Sequence, residues 1–183
     1  MAPAELAAVA FGVAYILLAI LGHRACWIAG GISTAIYAVV FQRAGLPMQA
    51  ALQVVYVALS AYGWYAWRPE SSSPPARRWP IRYHFMALGA VGIATAASAP
   101  LVARYALAAA PVADSLGTWA SLFATWLLAR RVVDNWLWWI AIDAGLAALF
   151  ATQRLEVTAA LYLAYALLAV AGWQNWRRNL ARA

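Results

Sequence analysis

Asp143 carries the clearest chemistry in this chain. It lies about eight residues into an apolar run that begins at Asn135, and a carboxylate near a bilayer centre costs on the order of several kcal/mol unless it faces a protein interior or water. Residues at i, i+3, i+4 and i+7 share a helix face, so Trp139 and either Asn135 or Trp136 lie on its stripe. Four further stripes carry groups that lipid does not tolerate. They are Thr118, Ser121 and Thr125; Tyr162 and Tyr165, with Trp173 further along; Gln53, Tyr56 and Ser60; and Trp27, Gly30, Thr34 and Tyr37. An aromatic box with one carboxylate suits an organic cation, and the hydroxyl groups suit a hydroxyl-bearing ligand.

Each feature also has a purely architectural reading. Asp143 can be a packing residue, protonated or bonded to a neighbour. Thr and Ser are common interhelical glue, and a tyrosine between helices often only packs. Asp134-Asn135 precedes the apolar run, so Asn135 reads equally as a helix cap or a ligand contact. At about 100° per residue, Trp136, Trp138 and Trp139 cannot share one face, and Trp138 is expected to face lipid or the interface. Trp67 and Trp176, each followed by Arg, read as interfacial belt residues. Catalysis finds no support: the sequence shows no Walker loop, dinucleotide glycine pattern, metal-spaced His pair or nucleophile with a base. His23 and His84 read as isolated, and the lone Cys26 offers neither a disulfide nor a metal cluster. The expectation is therefore a protein with no cofactor and no metal.

The elements that position these stripes follow from composition. With 66% apolar and 10% charged residues and a mean hydropathy of +0.70, the chain has too little polar surface to be soluble. The 11 Trp and 9 Tyr exceed the needs of two interfacial belts, which suggests a stacking ligand. A pI near 10.1 reflects arginines flanking membrane spans rather than nucleic-acid binding. A span needs roughly 20 helical residues, and seven segments qualify: 5–22, 26–42, 47–67, 83–103, 113–129, 135–151 and 156–175. The first reads as a retained span rather than a cleaved signal. Residues 70–82, with Ser71-Ser72-Ser73-Pro74-Pro75, form a polar linker.

Residues 26–68 recur without a gap as 135–177, shifted by 109 positions. Trp27 falls on Trp136, Phe41 on Phe150, Leu46 on Leu155, Tyr56 on Tyr165, and Gly63-Trp64-x-x-Trp67-Arg68 on Gly172-Trp173-x-x-Trp176-Arg177. The shift advances the chain by four spans, an even number, so the copies point the same way. This predicts an all-α integral membrane protein with a parallel 3+1+3 repeat: a three-helix unit over 1–68, a linker and connecting helix over 69–112, and a second three-helix unit with tail over 113–183. Such repeats are a transporter architecture, of which the SWEET carriers are one case, with substrate held between the halves. Ten arginines (24, 68, 77, 78, 82, 130, 131, 177, 178 and 182) fall on one side and only Arg43, Arg104 and Arg154 on the other. By the positive-inside rule the C-terminus is cytoplasmic and the N-terminus outside.

The segment Arg130-Arg131-x-x-Asp134-Asn135-Trp136-x-x-Trp139-x-x-x-Asp143, with Leu161-Tyr162 and Gly172-x-x-x-Trp176, resembles the PnuC family of bacterial vitamin transporters. The likeness spans nearly the whole chain and is strongest in its last third; Asp134 stands where the family usually has Glu. The resemblance implies seven spans in the bacterial inner membrane and facilitated diffusion of nicotinamide riboside, or of thiamine or riboflavin in relatives. A cytosolic kinase partner then traps the vitamin by phosphorylation. Carried over by position, the implied ligand contacts are Asn135, Trp136, Trp139, Asp143, Tyr162, Tyr165 and Gln53. The residues themselves add Tyr56, Thr118, Ser121 and Thr125 to the expected binding set. The partners expected are a small-molecule vitamin and membrane lipid, with no nucleic acid; a homo-oligomer is left open. A non-transporting binding subunit is the competing class, and a proton-coupled sugar carrier is disfavoured by the tryptophan density.

Overall fold

The computed structural model describes residues 3–43, 47–68, 76–105, 110–152, 154 and 156–181. Residues 70–75 of the polar linker, the repeat pair Leu46 and Leu155, and Arg182 lie outside the described residues. Seven helices account for nearly all of the rest: α1 Pro3–Ile20, α2 Cys26–Arg43, α3 Pro47–Ala66, α4 Ile81–Tyr105, α5 Pro111–Ala129, α6 Asn135–Thr152 and α7 Glu156–Leu180. Lengths of 18 to 25 residues match the bilayer requirement. Each spans its expected segment, with ends displaced by a few residues.

The surface is inverted relative to a soluble protein. Leu6, Leu17, Val54, Ile93, Leu163 and Leu167 are exposed, whereas Ser33, Ser60, Thr95, Ser115, Thr125 and Asp143 are buried. In water this would be a large aggregation-prone surface; in hydrocarbon it costs nothing, and the polar groups must turn inward. Among the described residues α1 and α4 hold the most apolar stretches, with mean hydropathies of 2.0 and 1.8. The other five helices carry more of the Trp, Tyr, Ser, Thr and Gln, although Tyr15 of α1 and Thr95 of α4 also turn inward.

Helices adjacent in sequence pack together as α1 with α2, α2 with α3, α4 with α5, α5 with α6, and α6 with α7. Two long-range joints close the bundle, α1 against α7 and α3 against α5. Helix α1 ends at Gly22, whose φ of +69° lets His23 N donate to Leu18 O at 2.9 Å and Gly22 N to Ala19 O at 3.0 Å. This is the left-handed C-terminal motif that satisfies the last carbonyls of a helix. Helix α5 ends the same way on Arg131, φ +54°, with Val132 N donating to Leu127 O and Arg131 N to Leu128 O. Burial lowers the Arg131 guanidinium below the ordinary arginine range, and the Trp67 ring lies 4.6 Å from its central carbon.

At this end of the bundle four indoles form the core. Trp27 meets Trp67 edge-on at 5.5 Å, Trp67 meets Trp176 at 5.7 Å, and Trp136 meets Trp176 edge-on at 5.8 Å. Trp67 and Trp176 are only 2% and 5% exposed, which corrects their assignment to an interfacial belt. Their N–H groups explain why: Trp67 Nε1 donates to Ala129 O at 3.0 Å, and Trp176 Nε1 to Ala19 O at 3.0 Å and Ile20 O at 3.1 Å. Each indole closes on carbonyls at the C-terminal end of a helix, Trp67 on α5 and Trp176 on α1, where Asn175 Nδ2 also donates to Ile20 O at 2.8 Å.

The segment before α4 is pinned to the α5–α6 turn. Arg77 donates its N–H to Arg131 O, and its carbonyl accepts the Val133 N–H, forming a one-residue parallel bridge between Arg77 and Val132. Asp134 Oδ2 accepts Trp79 N at 2.9 Å and lies 3.5 Å from His84 Nε2, while Oδ1 lies 3.7 Å from Arg78 Nε. His84 is therefore not isolated; its Nδ1 also accepts Trp138 Nε1 at 3.2 Å. Trp138 meets Phe123 edge-on at 4.8 Å, so it packs between α4 and α5 rather than standing free in lipid.

Candidate functional site

A cavity of about 370 Å³ opens between α1, α2, α3, α5, α6 and α7. Its floor is the indole core, since Ala19, Leu128, Trp136 and Ala169 belong both to that core and to the cavity wall. Of the residues expected from sequence, Tyr56, Ser121, Trp136, Trp139, Asp143, Tyr162 and Tyr165 line this one space. Asp143, 6% exposed, is the only charged side chain among the described lining residues. Tyr162 and Tyr165 stand edge to face, 5.9 Å apart, and Tyr162 rests on Phe150 at 5.3 Å. Tyr56 on α3 meets Ser121 on α5, so the wall is continuous from α3 to α5.

The Trp136 ring is set by a glycine. A Cβ on Gly172 would lie 2.6 Å from Trp136 Cδ2, and a Cβ on Gly63 would lie 2.3 Å from Trp27 Cδ2. Both indoles are seated on bare backbone, which brings α6 onto α7 and α2 onto α3 at close range. Trp136 presents part of its ring to the cavity; Trp27 is buried beneath Tyr15, 6.2 Å away.

Gln53, Thr118, Thr125 and Asn135 do not reach the wall. Thr125 turns its hydroxyl back to Ser121 O of its own helix at 2.8 Å. Asn135 is fully buried in the α5–α6 turn, where Nδ2 donates to Val132 O at 2.6 Å and Oδ1 has no partner. Its one side-chain bond is local to the turn, and with Oδ1 unpartnered it does not form the expected helix cap. The repeat-mate of Asp143, Thr34, likewise bonds the carbonyls of Gly30 and Gly31 in its own helix.

Sequence reasoning left α1 without a role, and the structure differs. Val9, Gly12, Val13, Tyr15 and Ile16 supply one side of the cavity, and Ser33 and Tyr37 of α2 complete it. Ser33 Oγ donates to Ala8 O at 2.8 Å, drawing α2 onto α1, and Gly12 leaves room for that hydroxyl. An apolar wall has no polar stripe to betray it; Tyr15 was the available signal.

Helices with an apolar outer surface, packed around an aromatic cavity that holds one buried carboxylate, mark the chain as a multi-pass integral membrane protein. The profile of the nicotinamide mononucleotide transporter family matches residues 2–178. The chain belongs to that family, the PnuC proteins, and is a transporter rather than an enzyme. It is 25% identical to the nicotinamide riboside transporter PnuC of Escherichia coli strain K12 and to that of Shigella flexneri, with 80% of this chain and 73% of each relative covered. The crystal structure of the vitamin B3 transporter PnuC superimposes with a TM-score of 0.75 at 21% identity, covering 98% of this chain and 82% of that one.

Proposed function

We propose that the chain carries nicotinamide riboside across the bacterial inner membrane by facilitated diffusion, with a cytosolic kinase trapping the vitamin. The observation that carries this reading is the composition of the cavity wall: among the described residues it holds five tyrosines, two tryptophans, one carboxylate and no cationic group. Nicotinamide riboside is a cationic aromatic ring on a sugar. Stacking on Trp136 and Trp139, a charge partner in Asp143, and hydroxyls from Tyr56, Ser121, Tyr162 and Tyr165 match its three parts. A volume of about 370 Å³ is in the range of small-molecule pockets. The mononucleotide named in the family's description fits less well. Its phosphate would enter a poorly solvated site beside a carboxylate with no guanidinium or ammonium to meet it.

Alternating access would come from rocking one three-helix group against the other about a parallel 3+1+3 repeat. Matched contacts support that repeat. In the 109-residue register α1 corresponds to α5 and α3 to α7, so the two joints closing the bundle, α1 with α7 and α5 with α3, are counterparts. Gly63 under Trp27 and Gly172 under Trp136 are counterparts too, as are the turns at Gly22 and Arg131. The reciprocal bonds of Trp67 to Ala129 and Trp176 to Ile20 cross between the halves and would have to part when that end opens. The arginine bias places this end in the cytoplasm and the N-terminus outside.

The test is uptake of labelled nicotinamide riboside into liposomes holding purified protein, without ATP or an ion gradient. Saturable flux, with thiamine, riboflavin and the mononucleotide competing weakly, supports the reading. Absence of riboside flux in protein that is folded and inserted overturns it, and preferential flux of thiamine reassigns the vitamin.

A further inference from the structure

Outside the substrate cavity, α4, α5 and α6 enclose a groove of about 790 Å³. Its floor is made of Gly117 and Ala120 on α5 and Gly145 on α6; a Cβ on either glycine would meet nothing within 4 Å. Ile81 and Leu88 of α4 form one bank and Leu149 the far end. The near end is different in kind, because Arg78, Trp79, His84 and Asp134 stand there. The Asp134 carboxylate is already engaged by Trp79 N–H, His84 and Arg78. Arg78 nevertheless leaves 54% of its side chain exposed, Arg77 and Arg82 are exposed close to it in the chain, and Arg130 is exposed next to Arg131, whose carbonyl accepts the Arg77 N–H. The groove is thus a long apolar channel with surplus positive charge confined to one mouth.

We propose that this groove binds an anionic phospholipid, with one acyl chain lying along the glycine floor and the phosphate at Arg78. The charge distribution argues for a lipid: apolar length and a cationic terminus reproduce, in complement, the two parts of the molecule. Basic pockets between membrane helices attract anionic headgroups in this manner. The aromatic rings of Trp79 and Tyr83, 5.5 Å apart, sit at the same mouth, at the level where indole and phenol rings favour the headgroup region. The lipid would fill the gap between α4 and α6, which the Trp138–His84 bond ties near one end; α4 is otherwise held by α5, where Trp119 Nε1 donates to Ser98 Oγ at 3.0 Å.

The experiment titrates delipidated protein in detergent with dioleoyl phosphatidylglycerol or dioleoyl phosphatidylcholine and counts bound lipid by native mass spectrometry, with thermal unfolding in parallel. The wild-type protein binds the glycerol lipid more tightly. Arg78→Ala weakens that lipid about fivefold, the worth of one surface arginine, and leaves phosphatidylcholine unchanged. Gly145→Leu, which fills the floor without altering charge, loses both lipids, and Gly117→Leu repeats the test should the first variant fold poorly. Arg178→Ala, remote from the groove, changes nothing. Equal binding of the two lipids, wild-type binding by the filled-groove variants, or conversion of an oligomer to monomer by Gly145→Leu with lipid binding intact overturns the proposal. The last outcome assigns the groove to a second copy of the chain.

Discussion

Placing a methyl group at Gly172 separates the role of Trp136 as a wall of the site from its role in packing. In Gly172→Ala the new Cβ meets three indole atoms of Trp136 at 2.6 to 2.7 Å. Ordinary contact begins near 3.4 Å, so the ring or the helix must retreat by about 0.8 Å. Overpacking of this kind costs about 1 to 3 kcal/mol, and the better helix propensity of Ala returns up to about 1 kcal/mol. A net loss of about 1 to 2 kcal/mol follows. Because Trp136 is also part of the cavity wall, the shift spoils the stacking surface offered to a planar ring. Such a contact is worth about 0.5 to 1.5 kcal/mol, so affinity falls by up to about tenfold. Gly63→Ala is the matched control. Its Cβ lies 2.3 Å from Trp27, a tighter clash by about 0.3 Å, but Trp27 does not line the cavity. Stability should fall at least as far while affinity is spared. Thermal unfolding in detergent and calorimetric titration with nicotinamide riboside read the two quantities separately. Unchanged affinity in folded Gly172→Ala, or an equal loss in Gly63→Ala, refutes the reasoning.

Asp143→Asn keeps the shape of the side chain and removes the only charge on the described wall; binding of the cationic riboside should weaken tenfold or more, an order-of-magnitude figure. The uncharged dihydro form of the riboside should bind both proteins alike, and a parallel loss for both ligands would show that the carboxylate acts by packing. Trp67→Phe retains a ring but strands the buried carbonyl of Ala129, whereas in Trp176→Phe Ala19 O keeps Gly22 N–H and Ile20 O keeps the Asn175 amide. Trp67→Phe should cost about 1 to 3 kcal/mol and Trp176→Phe less, with a non-additive double variant because the rings touch; thermal unfolding of Trp67→Phe within experimental error of wild type contradicts the cross-bundle role. Asp134→Ala removes the shared acceptor of Trp79, Arg78 and His84. Trypsin cleavage after Arg77 and Arg78 should then accelerate severalfold in the folded protein, and an unchanged rate would mean that the Arg77–Val132 bridge suffices to hold the segment.

Helix number, helix limits and the inverted surface were all legible in the chain, because hydropathy and the length of a span depend on local composition alone. The 109-residue echo was legible for the same reason, and so was the stripe of Trp136, Trp139 and Asp143, since helical geometry sets which residues share a face. What each face meets was decided only by the tertiary arrangement. The indoles of Trp67 and Trp176 look like belt residues in isolation. They are buried because α5 and α1 end beside them and present carbonyls to their N–H groups. Trp138 has a partner in His84, 54 residues away and beyond the linker, and a sequence window contains no trace of it. Val9, Gly12 and Val13 line the site through no chemistry of their own. Small apolar residues become a wall only when the opposite side of the cavity is brought to face them, and that depends on how α1 packs against α2 and α7.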